Sequence, residues 1–168
     1  MKIISVVGAR PNFIKIAPFV KVIKQHNNIN HILVHTGQHY DDRMSNDFFD
    51  SLSIPYPDIN LGIRSGTHAE QVGRTMISFE KILDKEQPNW VVVVGDVNAT
   101  LACSVTAKKM NIKVCHIEAG LRSGDSEMLE EINVKNFFDK IDEYKDNDFS
   151  NISLIDNLCS AALDLAFI

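Results

Sequence analysis

The stretch WVVVVGD, residues 90–96, places Trp90 and four consecutive valines before a glycine and a carboxylate. A continuous apolar run of this length is typical of a strand that is buried on both faces of a parallel sheet. The glycine directly after the run indicates a tight turn. Residues 98–110 then have the length and composition of a helix, so residues 90–110 are interpreted as one strand–loop–helix unit.

The same order of elements recurs on both sides of this unit. Short connections between alternating strands and helices imply parallel pairing and right-handed crossovers. We therefore predict an α/β fold, a Rossmann-like parallel sheet with helices on both faces. Pro11 suits the first turn of a helix, and Thr67 with Glu70 forms a capping box before another. The predicted strands are 3–7, 31–35, 90–94 and 113–117, and the predicted helices cover about 11–23, 42–52, 68–83 and 98–110.

The composition is that of a folded globular domain. The chain has 168 residues, of which 45% are apolar and 23% are charged. This excludes a disordered chain or a small disulfide-stapled scaffold. No apolar run approaches the roughly 20 residues of a membrane span, and the five apolar or small residues after Lys2 are too few for a signal peptide.

The charge is uneven along the chain. The net charge is −5, and residues 126–148, with eight acidic and three basic side chains, account for all of it. An acidic chain without a basic stripe argues against nucleic-acid binding. Three cysteines without CxxC spacing, Cys103, Cys115 and Cys159, indicate reduced thiols, no metal site and a cytoplasmic protein.

Four loops follow the predicted strands, and in open parallel sheets ligands bind at these carboxyl ends. The first, residues 8–15, offers a helix N-terminus with Arg10 and Lys15. We weigh two interpretations of it equally: an anion site, and a tight turn with a solvated arginine. The other loops are residues 36–41, 95–100 and 118–125.

Two of these loops carry a carboxylate directly after a buried strand, Asp96 and Glu118. Asp96 could cap the following helix, but two carboxylates at one sheet edge also suit general acid–base catalysis. His35, His39 and His116 lie near the same edge. Because their spacing matches no metal motif, hydrogen-bonded structural roles are the simpler interpretation for them.

A resemblance to a known family is carried by four motifs that occur in order. They are GARP at 8–11 with Lys15, HTGQHYD at 35–41, VGD at 94–96 with Thr100, and HIEAGLRSGD at 116–125. Over about residues 1–133 the sequence resembles the N-terminal domain of the non-hydrolysing UDP-N-acetylglucosamine 2-epimerases. The last of the four motifs is highly specific, and the others are moderately so.

The resemblance implies both an architecture and a reaction. Members have two Rossmann-like domains facing a cleft, so this domain would be one half of a glycosyltransferase-B-like fold. They are isomerases that interconvert UDP-N-acetylglucosamine and UDP-N-acetylmannosamine without a cofactor. UDP is eliminated to leave a 2-acetamidoglucal, and it is added back with the C2 proton on the other face. The products feed surface-polysaccharide synthesis.

By resemblance, residue roles follow position by position. The catalytic carboxylates would be Asp96, Glu118 and Glu131. Residues lining the substrate cleft would be Arg10, Lys15, His116 and Arg122. A loop that binds a second, regulatory UDP-N-acetylglucosamine in bacterial members would include Gln38 and His39.

The sequence departs from the family after residue 128. A proline and an arginine of the family pattern are replaced by Leu129 and Val134. We expect a Rossmann-like domain over 1–133, an unmatched acidic insertion over 134–151 and a resumed family helix over 152–168, with the C-terminal domain absent.

Three functional interpretations stay open from the sequence. The first is an epimerase half that acts with a separately encoded C-terminal domain. The second is an inactive truncated remnant, and the third is a sugar-nucleotide-binding module. A homodimer is compatible with each of them.

Overall fold

The computed structural model describes residues 1–37, 56–119 and 127–128. Five strands and three helices lie in these ranges. The strands are β1 (Lys2–Val7), β2 (Asn30–His35), β3 (Ile59–Asn60), β4 (Trp90–Val94) and β5 (Lys113–Ile117). The helices are α1 (Arg10–Ile23), α2 (His68–Glu86) and α3 (Asn98–Lys109).

The strands form one parallel sheet in the order β3-β2-β1-β4-β5. The chain moves outward from β1 to β3 and then returns to the other side of β1 for β4 and β5. The direction of winding therefore reverses between β1 and β4. In folds of this class, ligands bind outside the carboxyl ends of the strands at such a reversal.

The core lies on both faces of the sheet because side chains alternate along each strand. On one face, Ile3 and Val7 pack with the apolar side of α1, including Phe19. On the opposite face, Ile4 and Val6 pack with residues of α2 and α3, such as Phe79. The valines of β4 divide between the two clusters, and all four are buried. The predicted sheet with helices on both faces is thus confirmed.

The predicted element boundaries hold closely, with one omission. The four predicted strands are present, and α2 begins at the predicted capping box, where the Glu70 N–H donates to Thr67 Oγ1 at 3.2 Å. The strand β3 is absent from the elements predicted from the sequence. Its two residues pair with Val34 and His35 at the sheet edge, and so short a strand has no periodic pattern to detect.

Several sequence predictions fall outside the described residues. They are the helix over 42–52, the insertion over 134–151 and the resumed helix over 152–168. Among the described residues, no helix combines the length and the apolar character needed to cross a membrane.

Candidate active site

The candidate site lies at the carboxyl ends of β1, β4 and β5, beside the reversal of winding. Its centre is an ion pair between Lys15 Nζ and Glu118 Oε2. Lys15 lies on α1, and Glu118 is the first residue after β5. Two side chains that are far apart in sequence and partly exposed thus meet where ligands enter folds of this class. The sequence had assigned both to the site, and the structure brings them together.

Glu118 is held in an unusual backbone conformation. Its φ angle is +66°, in the left-handed region that non-glycine residues seldom occupy. Such conformations persist where the surrounding structure enforces them, and they concentrate at functional sites.

His116 lies two residues before Glu118, on β5. Its Nε2 makes a hydrogen bond with the carbonyl oxygen of Gly95. Since a carbonyl can only accept, Nε2 carries the proton, and in the neutral ring Nδ1 is an acceptor. Burial lowers the pKa of His116, and the Gly95 hydrogen bond and the charges of Asp96 and Glu118 oppose this with smaller effects.

Gly95 forms the corner between β4 and the following loop. Its φ angle is +71°, and a Cβ built there would lie 3.0 Å from Asn12 Nδ2 and 3.9 Å from Lys15 Nζ. Both the conformation and the close approach exclude a larger residue without rearrangement. The corner is therefore packed directly against α1, the helix that carries Lys15.

Asn12, which the sequence patterns did not indicate, organises the loop after β1. Its Oδ1 accepts from the N–H groups of Gly8 at 3.2 Å and Ala9 at 2.8 Å, and its Nδ2 donates to the Val94 carbonyl at 3.0 Å. The residue is 2% exposed. The available signal was a short amide side chain in the first turn of a helix, where such residues commonly bond to backbone.

This arrangement limits what the backbone of the first loop can offer a ligand. The N–H groups of Gly8 and Ala9 bond to Asn12, the Asn12 N–H donates to the Ala9 carbonyl at 3.0 Å, and Pro11 has no N–H. These backbone donors are engaged within the turn, so an anion at this loop would be bound by side chains. Positive charge at this end of α1 comes instead from the side chains of Arg10 and Lys15.

Asp96 and Arg10 lie at the same edge. Asp96 directly follows the Gly95 corner, is half-buried and acts electrostatically on His116. The N-cap of α3 is Val97 and not Asp96, so the interpretation of Asp96 as the helix cap is wrong. Arg10 is the first residue of α1 and is exposed.

The remaining sequence assignments divide into two groups. His35 is buried and packs edge-on against Phe13, with ring centroids 5.1 Å apart, which agrees with its predicted structural role. Four assigned residues lie outside the described part of the chain: Gln38, His39, Arg122 and Glu131.

The same sheet edge holds a second polar cluster that the sequence did not suggest. Asn98, at the start of α3, contacts His68 Nδ1 at 3.0 Å and Gln71 Oε1 at 3.2 Å through its Nδ2 atom. The starts of α2 and α3 are thereby tied together beside the site.

The site combines groups suited to proton transfer and to charge stabilisation. Asp96 and Glu118 are carboxylates at neighbouring strand ends, His116 presents an acceptor nitrogen, and Lys15 with Arg10 supplies positive charge. Such a set can move a proton at a carbon and stabilise negative charge on an anionic leaving group.

The chain is similar to several known proteins. The family model described as UDP-N-acetylglucosamine 2-epimerase matches residues 21–141. A UDP-N-acetylglucosamine 2-epimerase homolog of Methanococcus maripaludis is 53% identical over 133 residues, covering 79% of this chain and 37% of its own length. A UDP-2,3-diacetamido-2,3-dideoxy-D-glucuronate 2-epimerase of Pseudomonas aeruginosa is 47% identical, covering 79% of this chain and 38% of its own.

Solved structures show the same fold. The crystal structure of the Methanocaldococcus jannaschii UDP-GlcNAc 2-epimerase in complex with UDP-GlcNAc and UDP superposes with a TM-score of 0.77 and 47% identity. The match covers 80% of this chain and 37% of that one. A Streptomyces glycosyltransferase shares the fold at a TM-score of 0.52 and 11% identity, over 82% of this chain and 44% of its own. The likeness to one part of a glycosyltransferase fold is thus confirmed.

The chain thus spans only 37–38% of the length of these curated relatives. The family model extends over well more than half of the 168 residues. The chain belongs to the UDP-N-acetylglucosamine 2-epimerase family.

Proposed function

We propose that this chain supplies the N-terminal, carboxylate-bearing part of a sugar-nucleotide 2-epimerase that acts on UDP-N-acetylglucosamine. The observation that carries the proposal is the convergence of Lys15, Glu118 and His116 at the carboxyl edge of the sheet. The family membership of the chain and a UDP-GlcNAc-bound structural relative support the choice of substrate.

The proposed reaction assigns work to these groups. A carboxylate, Asp96 or Glu118, removes the C2 proton of the sugar, and the electrons of that bond form the C1–C2 double bond. The C1–O bond breaks and its electron pair leaves with UDP. Lys15 and Arg10 stabilise the negative charge that develops on the diphosphate. Re-addition of UDP with protonation on the opposite face of C2 completes the epimerisation.

Other roles are proposed for residues outside the described ranges. Glu131 would be the third carboxylate, Arg122 would line the substrate cleft, and Gln38 with His39 would contact a regulatory nucleotide. The motifs that contain these residues support these assignments. Residues 1–133 would form the domain that carries the site.

The proposal also concerns partners and location. A segment equivalent to the rest of the relatives' length would supply further substrate contacts, and two copies of this chain could associate as a dimer. Light scattering of the purified chain would measure whether it forms this dimer. The free thiol of the buried Cys103 supports a cytoplasmic location.

The test is incubation of the full chain with UDP-N-acetylglucosamine in heavy water, followed by proton NMR. One arm contains the chain alone, and the other adds the separately produced remainder of the M. jannaschii relative. Deuterium at C2, together with the manno epimer, in either arm supports the proposal. Saturable binding without exchange would instead identify a binding module, and neither binding nor exchange would identify an inactive remnant.

Matched variants identify the groups that carry the reaction. Asp96→Asn and Glu118→Gln should each lower the exchange rate by about 100-fold or more, as expected for loss of an acid–base group. Glu80→Gln makes the same change at an exposed position of α2 and should leave the rate unchanged.

A second substrate is favoured by one of the relatives. The P. aeruginosa protein, at 47% identity, is named for a UDP-linked diacetamido uronic acid. The same exchange assay with that nucleotide, run side by side, compares kcat/KM for the two sugars.

A further inference from the structure

We infer that Asn12 is the positioning residue of this site: it fixes the Gly95 corner and thereby the tautomer and orientation of His116 and the reach of Lys15 toward Glu118. The inference concerns the arrangement of the site, and its consequence for catalysis rests on the proposed function.

The first step is that Asn12 joins two strand ends that the sequence separates widely. One side chain bonds to the backbone on both sides of the reversal of winding, at Gly8 and Ala9 after β1 and at Val94 at the end of β4. It uses its acceptor and its donor at once. A buried amide that satisfies three backbone groups holds them in one relative position.

The second step is that the corner held by Asn12 is the one that His116 contacts. Asn12 donates to the Val94 carbonyl, and His116 donates to the next carbonyl along the chain, that of Gly95. The two carbonyls belong to successive peptide groups on either side of a glycine at φ +71°. A shift of the first peptide group therefore moves the acceptor of His116.

The third step concerns Lys15. It lies three residues after Asn12, so both side chains project from the same side of α1 toward β4. A Cβ at Gly95 would be near both, 3.0 Å from Asn12 Nδ2 and 3.9 Å from Lys15 Nζ. Asn12 holds this end of α1 against the end of β4. It thereby sets the distance between the side chains of Lys15 and Glu118.

Asn12→Asp is the informative substitution because it removes the donor of the amide group and keeps an acceptor. A carboxylate keeps the shape and can still accept from Gly8 and Ala9, but it cannot donate to the Val94 carbonyl and instead repels it. Asn12→Ala removes both interactions and serves as the second variant if the aspartate does not fold. Thr106→Val is the control, since it deletes a buried hydrogen bond inside α3, 2.8 Å to the Ala102 carbonyl, away from the site.

The primary readout is the imidazole of His116 in the full chain, measured by long-range ¹H–¹⁵N NMR. His116→Asn identifies its resonances. We expect the Nε2–H tautomer in the unsubstituted chain and in Thr106→Val. Asn12→Asp and Asn12→Ala should lose this fixed tautomer and shift the midpoint of the His116 titration. An unchanged His116 spectrum in folded Asn12 variants would overturn the inference.

The second readout is C2 exchange of UDP-N-acetylglucosamine under the conditions that give activity to the unsubstituted chain. We expect kcat to fall on the order of 100-fold in Asn12→Asp, as for a misplaced catalytic group, with little change in KM. A rise in KM with unchanged kcat would overturn the role in positioning the reacting groups. If the unsubstituted chain shows no exchange in either arm, the proposed function fails, and the NMR result alone decides the role of Asn12.

Discussion

At the scale of single residues, Glu118 shows a conflict between backbone preference and placement. Its left-handed φ of +66° costs an L-residue about 1–2 kcal/mol, whereas its ion pair with Lys15 is partly exposed and contributes about 0–1 kcal/mol. The ion pair therefore does not offset the cost of the backbone conformation. What the conformation does is direct the Glu118 carboxylate toward Lys15.

Substitution of Glu118 tests this account. Glu118→Gly relieves the conformation but removes the carboxylate, and Glu118→Gln removes the charge but keeps the conformation. We expect the glycine variant to be more stable than the glutamine variant by about 1 kcal/mol in chemical denaturation, while both lose C2 exchange. A glycine variant less stable than the glutamine variant would contradict a strained position.

His31 provides a pH-dependent contribution to stability away from the site. Its Nε2 lies 2.9 Å from Ser5 Oγ, between β1 and β2. Burial lowers the pKa of His31 to about 4, with Asp58 acting to raise it and Lys24 to lower it. The unfolded chain, with a histidine pKa near 6.5, takes up this proton first as the pH falls.

Because the unfolded chain is protonated first, the stability of the folded chain falls as the pH is lowered. Above about pH 6.5 the ring is neutral in both states and contributes no pH dependence, and between pH 6.5 and 4 protonation favours the unfolded chain. The unfolding free energy of the unsubstituted chain should fall between pH 7 and pH 4.5. We expect this fall to be about 2–3 kcal/mol smaller in His31→Gln. Urea denaturation at both pH values measures it, and equal losses in the two proteins would refute the assignment.

At the scale of helices and strands, the sequence predicted an element where the residues of that element carry a recognisable pattern themselves. The strands β1 and β4 are buried on both faces, so their apolar runs alone identified them. The capping box of α2 needed only Thr67 and Glu70. The two-residue β3 has no internal pattern, because its pairing with Val34 and His35 defines it.

The same distinction applies to the site. Glu118 and Asp96 were detectable because a carboxylate directly after an apolar strand is conspicuous, and the rule for parallel sheets placed them together. The role of Asn12 was not detectable, because one of its partners, Val94, lies 82 residues away. Long-range bonds of a single side chain leave no trace in spacing.

The start of α2 allows an element-scale prediction. Thr67 Oγ1 accepts from the Glu70 N–H at 3.2 Å, and the Glu70 carboxylate accepts from the Thr67 N–H at 2.9 Å. Thr67→Ala should lower the free energy of unfolding by about 1 kcal/mol. Thr67→Ser, which keeps the hydroxyl, should restore most of this. Equal losses in both variants would show that the hydroxyl does not cap the helix.

At the scale of the whole molecule, the charge and the described part of the core occupy different parts of the sequence. Among residues 1–37, 56–119 and 127–128, both core clusters and the partly buried residues packed on them lie between Met1 and Ile117. The net charge of −5 lies in residues 126–148, and the curated relatives match over about 133 residues. The region that matches the relatives thus contains all of the described sheet and both of its apolar layers.

A chain ending at Asn133 should therefore keep the fold. We expect its free energy of unfolding to lie within about 1 kcal/mol of that of the full chain, a margin comparable to a typical single substitution, and the His116 resonances to be unchanged. Urea denaturation and the ¹H–¹⁵N spectrum of both chains measure this. A chain ending at Gly95 is the matched negative control, because it lacks α3 and β5 and exposes the apolar face of β4. A large loss of stability in the chain that ends at Asn133 would show that residues 134–168 pack on the sheet. The domain boundary at 133 would then be wrong.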